Sequence, residues 1–206
     1  MKPAKFLLMA TLITGFGILM SRVVMSTSSG QEMSAQEKKM MEQMMKYGTP
    51  GENHELLERY VGDWEVDIKS WPAPGTEPVM SQGTMKNELI FGGRYLKSHL
   101  EGEMSGMKVA GLEIIGYDLF RNAYTTFWID SWSTSFVTTS GRLDASRQLL
   151  TESGEWPDPM TDGKTMQKIK NVTTFLGDGK YKFEMFMVMP DGQEAKGMEL
   201  LCTRKD

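Results

Sequence analysis

Trp64-Glu65-Val66-Asp67-Ile68-Lys69 alternates apolar and charged side chains without a break. Period two over six residues is the pattern of a β-strand with one face buried and the other in water. Outward from this segment the pattern stays β. Strand-like runs fall near 63–71, 80–90, 94–102, 108–117, 123–131, 134–141, 147–155, 165–175, 180–189 and 194–204. Between them lie turn formers, among them Pro72-Ala73-Pro74-Gly75, Gly92-Gly93, Gly177-Asp178-Gly179 and Pro190-Asp191-Gly192. Short hairpin turns with no intervening helix predict consecutive antiparallel neighbours. About ten strands in meander order leave exposed edges unless they close. The expected fold is therefore all-β, an antiparallel up-and-down barrel of about ten strands, with a two-sheet sandwich as the alternative.

The stretch before the strands divides in two. Lys2 and Lys5 precede an apolar, uncharged run from Phe6 to Met20, which Arg22 ends. This is the pattern of an export signal. Residues 1–25 are expected to be a signal peptide or, through residues 6–25, a membrane anchor. Met33-Ser34-Ala35 is a weak cleavage site. The product is expected to be exported, periplasmic or secreted, with a membrane met only through that segment. Residues 26–47 read as a Ser-rich linker and a helix whose Met40, Met41, Met44 and Met45 share a face. Residues 48–206 form the barrel domain. In it Asn53 is placed to cap a short helix from His54 to Tyr60 that turns Leu56 and Leu57 inward.

The chain carries 23 basic and 27 acidic residues, and residues 1–35 hold three of the bases against one acid. An acidic surface without a basic stripe argues against nucleic acid and anionic lipid heads. Cys202 is the sole cysteine, so no internal disulfide forms, and its strand position predicts a small buried hydrophobe.

Several ordered motifs resemble one known family. Tyr47-Gly-Thr-Pro-Gly-Glu-Asn-His54, Leu56-Leu57 and Val61-Gly-Asp-Trp64 are similar to the opening of a bacterial domain-of-unknown-function family, number 1579. Gly92-Gly-Arg-Tyr-Leu96, Gly116-Tyr-Asp118, Trp128-Ile-Asp130, Gly154-Glu155 with Asp158-Pro159, and Met198-Glu199 extend the resemblance over roughly residues 40–205. Asn53 departs from it, standing where a proline is expected. The resemblance implies a lipocalin-like (calycin-type) barrel and carries no catalytic residue. In such barrels a Gly-x-Trp, here Gly62 and Trp64, closes one end with a late arginine, here Arg204, across the indole.

Candidate contacts for a ligand come from the strand faces. Tyr181, Phe183, Met185, Met187 and Met189 share one face, and flexible thioethers suit an adaptable apolar pocket or plain core filling. Tyr124, Thr126, Trp128 and Asp130 share another, but Phe127 and Ile129 opposite are equally apolar, so direction stays open. Facing inward, Asp130 becomes a candidate acid or base. Facing the next turn, it bonds near Ser131 and Ser133. Tyr117 and His99 complete the candidate ligand contacts, a lone mid-strand histidine being slender support for haem or a proton relay. Glu113 and Glu155 read as isolated carboxylates. The 19 methionines raise soft-metal binding, but no His or Cys interleaves with them. Asp158, Asp162 and Gly163 read as a turn rather than a calcium loop, and no nucleophile elbow or phosphate loop occurs. The sequence thus implies no cofactor, no metal and no catalytic set. Its leading expectation is a binder of a small apolar or amphipathic ligand. An enzyme using a single acid and a tethered interaction module with a filled barrel are the alternatives.

Overall fold

A computed structural model describes residues 32–104 and 106–205. The apolar segment read as an export signal or anchor lies outside the described residues. Among these, no helix is long and apolar enough to cross a membrane. The chain falls into two compact units, dividing between Thr49 and Pro50.

The first unit contains helix α1, Ala35–Gly48. Ser34 starts it with a reciprocal cap. Its hydroxyl accepts from the Glu37 N–H, and the Glu37 carboxylate accepts from the Ser34 N–H at 2.8 Å. No residue of α1 is buried, and Met40, Met41, Met44 and Met45 are all exposed.

The second unit opens with a 3-10 turn, Glu52–His54, and one turn of helix α2, Glu55–Glu58. The helix exists where expected, with Leu56 and Leu57 fully buried. Its cap differs. The His54 Nδ1 accepts from the Gly51 N–H at 3.1 Å, and Asn53 lies inside the turn. Ten strands follow: β1 Gly62–Ser70, β2 Val79–Ile90, β3 Tyr95–Met104, β4 Met107–Asp118, β5 Ala123–Asp130, β6 Val137–Leu143, β7 Leu149–Pro157, β8 Met166–Gly177, β9 Lys180–Val188 and β10 Glu194–Arg204. Every strand pairs antiparallel with its chain neighbours, and β1 pairs with β10 to close the barrel. The sandwich alternative is excluded, and no sheet edge remains for another chain to pair with.

The alternation that opened the reading sets the inside. Trp64, Val66, Ile68 and Ser70 are buried, while Glu65 and Asp67 face water. The same phase buries Met85 and Asn87 on β2, Leu96, Ser98 and Leu100 on β3, and Leu200 and Cys202 on β10. Close backbone contact bends the wall. A Cβ on Gly141 would collide with the Thr151 carbonyl of β7, so only glycine lets β6 and β7 approach there.

Up-and-down order puts the chain entry, the β2–β3, β4–β5, β6–β7 and β8–β9 turns and the chain exit at one end. That end is shut. Trp64 is 1% exposed, and its Nε1 donates to the Tyr60 carbonyl at 2.7 Å. The Arg204 guanidinium lies 4.3 Å from the indole centroid and donates to the Val61 carbonyl and, at 3.0 Å, to that of Arg59. Trp64 and Arg204 are direct cross-strand partners. Gly62 has φ +128°, and a Cβ there would sit 2.5 Å from the Arg204 Nη1. The glycine is thus required twice, by backbone conformation and by the arginine that fills its side-chain space. Arg59 adds a second clamp, stacking 3.8 Å over Phe175 and donating to the Gln148 side chain at 3.0 Å. Tyr124 donates to the Asn53 carbonyl at 2.7 Å, tying the 3-10 turn down.

Candidate functional site: the barrel lumen

The opposite end carries the β1–β2, β3–β4, β5–β6, β7–β8 and β9–β10 connections, with a 3-10 turn, Pro159–Thr161, between β7 and β8. Its rim is apolar. Met80, Met107, Trp132, Phe136 and Met160 are all exposed there. A cleft of about 760 Å³ lies on this rim between the β1–β2 loop and the β9–β10 hairpin, lined by Trp71, Pro74, Met189, Pro190 and Lys196. The Lys196 ammonium at its edge is already occupied, bonded to Glu184 and, at 2.9 Å, to Glu199. The polar groups that lack partners lie elsewhere, inside the barrel.

β4 places one of them. Val109, Gly111 and Ile115 are buried, and Glu113 lies in phase with them. Glu113 nevertheless keeps part of its surface accessible. Its cross-strand partners are Ser98 on β3 and Trp128 on β5, and Ser98 in turn faces Asn87 on β2. Burial first, and then the charge of Glu152, push the Glu113 carboxyl up to about 8, with the nearby Ser98 hydroxyl pulling the other way. At neutral pH this acid holds its proton.

Glu152 on β7 is 5% exposed. It accepts from the Thr126 hydroxyl at 2.8 Å and from the Thr139 hydroxyl at 3.2 Å. Burial raises its pKa as well, against those two hydrogen bonds. Its register continues through Asn171 on β8 and Met185 on β9 to Met198 on β10. A polar band therefore meets a methionine face within one hydrogen-bonded course of the wall.

Several hydrogen-bonding atoms in this interior are buried without partners. They are Tyr60 Oη, Ser70 Oγ, Ser81 Oγ, Asn87 Oδ1, Ser98 Oγ and Asn171 Oδ1. Ser98 is the direct cross-strand neighbour of Glu113. An orphaned buried group costs about 1–3 kcal/mol, so each of these six atoms stands out in the interior.

The residues singled out from sequence separate into groups. Trp128 and Asp130 face inward near the mouth, which resolves the direction of β5. The Trp128 Nε1 donates to Asp130 at 2.9 Å, and the ring occupies the space a Gly111 side chain would need. Asp130 also accepts from the backbone of Trp132 at 2.9 Å and of Ser133 at 3.0 Å, so the carboxylate is committed to its turn. Met185 and Met187 line the inner face of β9 beside Phe183, whereas Met189 lies beyond the strand end. Tyr117 faces inward at the closed end, edge-on to Tyr124 and His54 and bonded through its hydroxyl to Asn122. It supports the plug rather than the middle of the lumen.

Two expectations, for His99 and Glu113, are corrected. His99 stands on the outer face of β3, exposed, with Glu101 at 3.2 Å, because the buried phase of that strand belongs to Leu96, Ser98 and Leu100. His54, at the helix start, caps the turn and is buried, and burial with the nearby Arg94 lowers its pKa. Glu113 is not isolated, since closure of the sheet brings Glu152 to it from the other side. Glu152 escaped sequence reading because Leu149 and Leu150 are both apolar, which hides the phase of β7.

Gly62, Trp64 and Arg204 do meet at the closed end. Cys202 is buried, and burial pushes its thiol up to about 12. Among the described residues, no three His, Cys, Asp or Glu side chains gather as a metal site. Comparison with curated proteins finds no match. A family model described as "protein of unknown function (DUF1579)" matches residues 49–204, from just before the plug to the arginine that closes the barrel, and the chain belongs to that family.

Proposed function

We propose that the protein is an exported, lipocalin-like carrier that holds a small amphipathic ligand in its barrel. One observation carries the reading: the barrel interior holds buried polar atoms without hydrogen-bond partners, from Ser70 on β1 to Asn171 on β8, alongside the apolar side chains of Phe183, Met185 and Met187. A ligand with a polar head and an apolar body matches both. The apolar rim supports entry at the mouth, since Trp132, Phe136 and Met160 offer a partitioning surface beside it. With the base held shut by Trp64 and Arg204, the reading assigns entry to the opposite end.

The experiment is native mass spectrometry of the full chain purified without detergent. The carrier reading predicts a mass excess of a few hundred daltons that disappears on denaturation, and refilling by an added ligand with quenching of tryptophan emission. A protein that carries no adduct and takes up no amphipathic compound contradicts it. Export rests on Lys2, Lys5 and the apolar run from Phe6 to Met20. Cell fractionation with the mass of the mature N-terminus separates a released form from one tethered through residues 6–25. Recovery only in the cytoplasm overturns the assignment.

A further inference from the structure

We propose that the outer wall formed by β4, β5 and β6 is an interaction surface, and that its partner is a second copy of this chain. The proposal is independent of what the lumen holds. Closure leaves only outward side chains for another molecule to meet, since no strand edge is free. Around much of the barrel those side chains are charged, as with Glu65 and Asp67 on β1 and Lys86 and Glu88 on β2. On β9 the outward ring of Phe186 has cover. The ammonium groups of Lys170 and Lys196 each lie 5.6 Å from its centroid.

The wall of β4 to β6 differs. From Ala110 to Gly116 on β4, from Ala123 to Ile129 on β5 and from Thr138 to Ser140 on β6, every outward position is uncharged. The register gathers the apolar ones into a patch. Leu112 pairs directly with Ile129, and Ile114 with Phe127. Phe136, 64% exposed, leans on Phe127 with 5.4 Å between ring centroids. Toward the base the stripe continues through Tyr95, whose ring lies 2.5 Å from where a Gly116 Cβ would sit. Phe91, 74% exposed, meets that ring edge-on at 6.3 Å. Phe127-Trp128-Ile129 is thus apolar on both faces, the pattern of a strand buried on both. The lumen accounts for Trp128. The outward pair calls for a cover from outside, and Ile129 is still exposed.

The rims point to the partner. Beside β4, Lys97 on β3 pairs with Glu88 at 2.8 Å, and His99 stands 3.2 Å from Glu101. On the far side Arg142 on β6 and Glu155 on β7 face outward. Each flank therefore carries both signs. A surface that must match itself about a two-fold axis needs this arrangement, because its rims meet rims of the same composition. A partner of one charge gains at one residue what it loses at the next, and 27 acidic against 23 basic residues oppose an anionic bilayer. Size agrees. Three strands about 4.8 Å apart, over six or seven residues rising about 3.4 Å each, give a charge-free face of roughly 300 Å². Patches of that order are commonly functional. With both rims included the face reaches roughly 600 Å² per copy, the low end for a specific dimer.

Sedimentation equilibrium of the full chain purified without detergent tests this, with thermal unfolding at several protein concentrations. The wild type is expected to dimerise, with a Tm that rises with concentration. Ile129→Lys and Phe136→Asp, both at exposed positions, are each expected to weaken association at least tenfold and to remove the concentration dependence. Phe91→Asp, at the other end of the stripe, is expected to act likewise should either fold poorly. Met160→Asp, at the mouth, is expected to leave the dimer intact. A wild type that stays monomeric at about 100 µM overturns the proposal, whether it is inert or floats with phosphatidylcholine vesicles through this wall. A dimer that keeps its strength in the wall variants, or loses it in Met160→Asp alone, uses another surface and overturns it as well.

Discussion

Glu113 concentrates the chemistry of the molecule in one side chain. Its carboxyl, raised from about 4.5 to about 8, binds a proton in the folded protein over a range where the unfolded chain has released it. Folding stability therefore falls as pH rises through that window, and levels off above 8. Glu113→Gln has no proton to lose. It is expected to flatten most of the decline and to be more stable than the parent at pH 9, by up to several kcal/mol at about 1.4 kcal/mol per unit. Urea unfolding at pH 5, 7 and 9 checks this, and an unchanged slope contradicts it. Some slope remains from Glu152, whose pKa is also raised. Little of this was legible in the sequence. Leu112 and Ile114 flank Glu113 with apolar side chains on the outer face, so the alternation that made β1 unmistakable is missing from β4. Trp128 and Met185 stood out by type, but their bridging residues, Ser98, Asn171 and Glu152, are small, polar or acidic and look like surface until the sheet closes.

At the scale of elements, the base is one cooperative clamp made from both chain ends of the barrel. Arg204 on β10 stacks on Trp64 of β1 and fills the space left by Gly62, while its guanidinium satisfies carbonyls at the exit of α2. Arg204→Ala removes a cation–π contact worth about 1 kcal/mol and leaves two carbonyls short of a donor. Its expected cost is about 1–3 kcal/mol. Arg204→Lys retains the charge without the planar fork and recovers part of that loss. Gly62→Ala forces a side chain onto the Arg204 guanidinium at a φ that side chains avoid, and is expected to cost more than 1 kcal/mol. Denaturation midpoints followed by tryptophan emission measure all three, and an Arg204→Ala protein as stable as the parent contradicts the clamp. Here the sequence spoke clearly. A tryptophan inside a strict alternation, a glycine two residues before it and an arginine at the last strand together specify closure, and strand limits fall within about three residues of those expected. The cap of the short helix was less legible, because His54 replaces Asn53 through a backbone turn that no local pattern announces.

At the largest scale, closure joins ten ordinary strands into a barrel shut at one end by Trp64 and Arg204. Sequence predicted the barrel, since ten alternating runs in meander order have few other ways to hide their edges. Its contents were hidden, because the lumen is assembled from side chains on different strands whose proximity only the register reveals. The account stands or falls on whether that interior holds a guest. A crystal structure of protein purified without detergent tests it most directly. The account predicts continuous non-protein density in the lumen, reaching Glu113 and Ser98 at one end and Met185 and Phe183 at the other. An interior where those side chains close on one another, with Ser98, Asn87 and Tyr60 bonded only among themselves and no density between them, would contradict it.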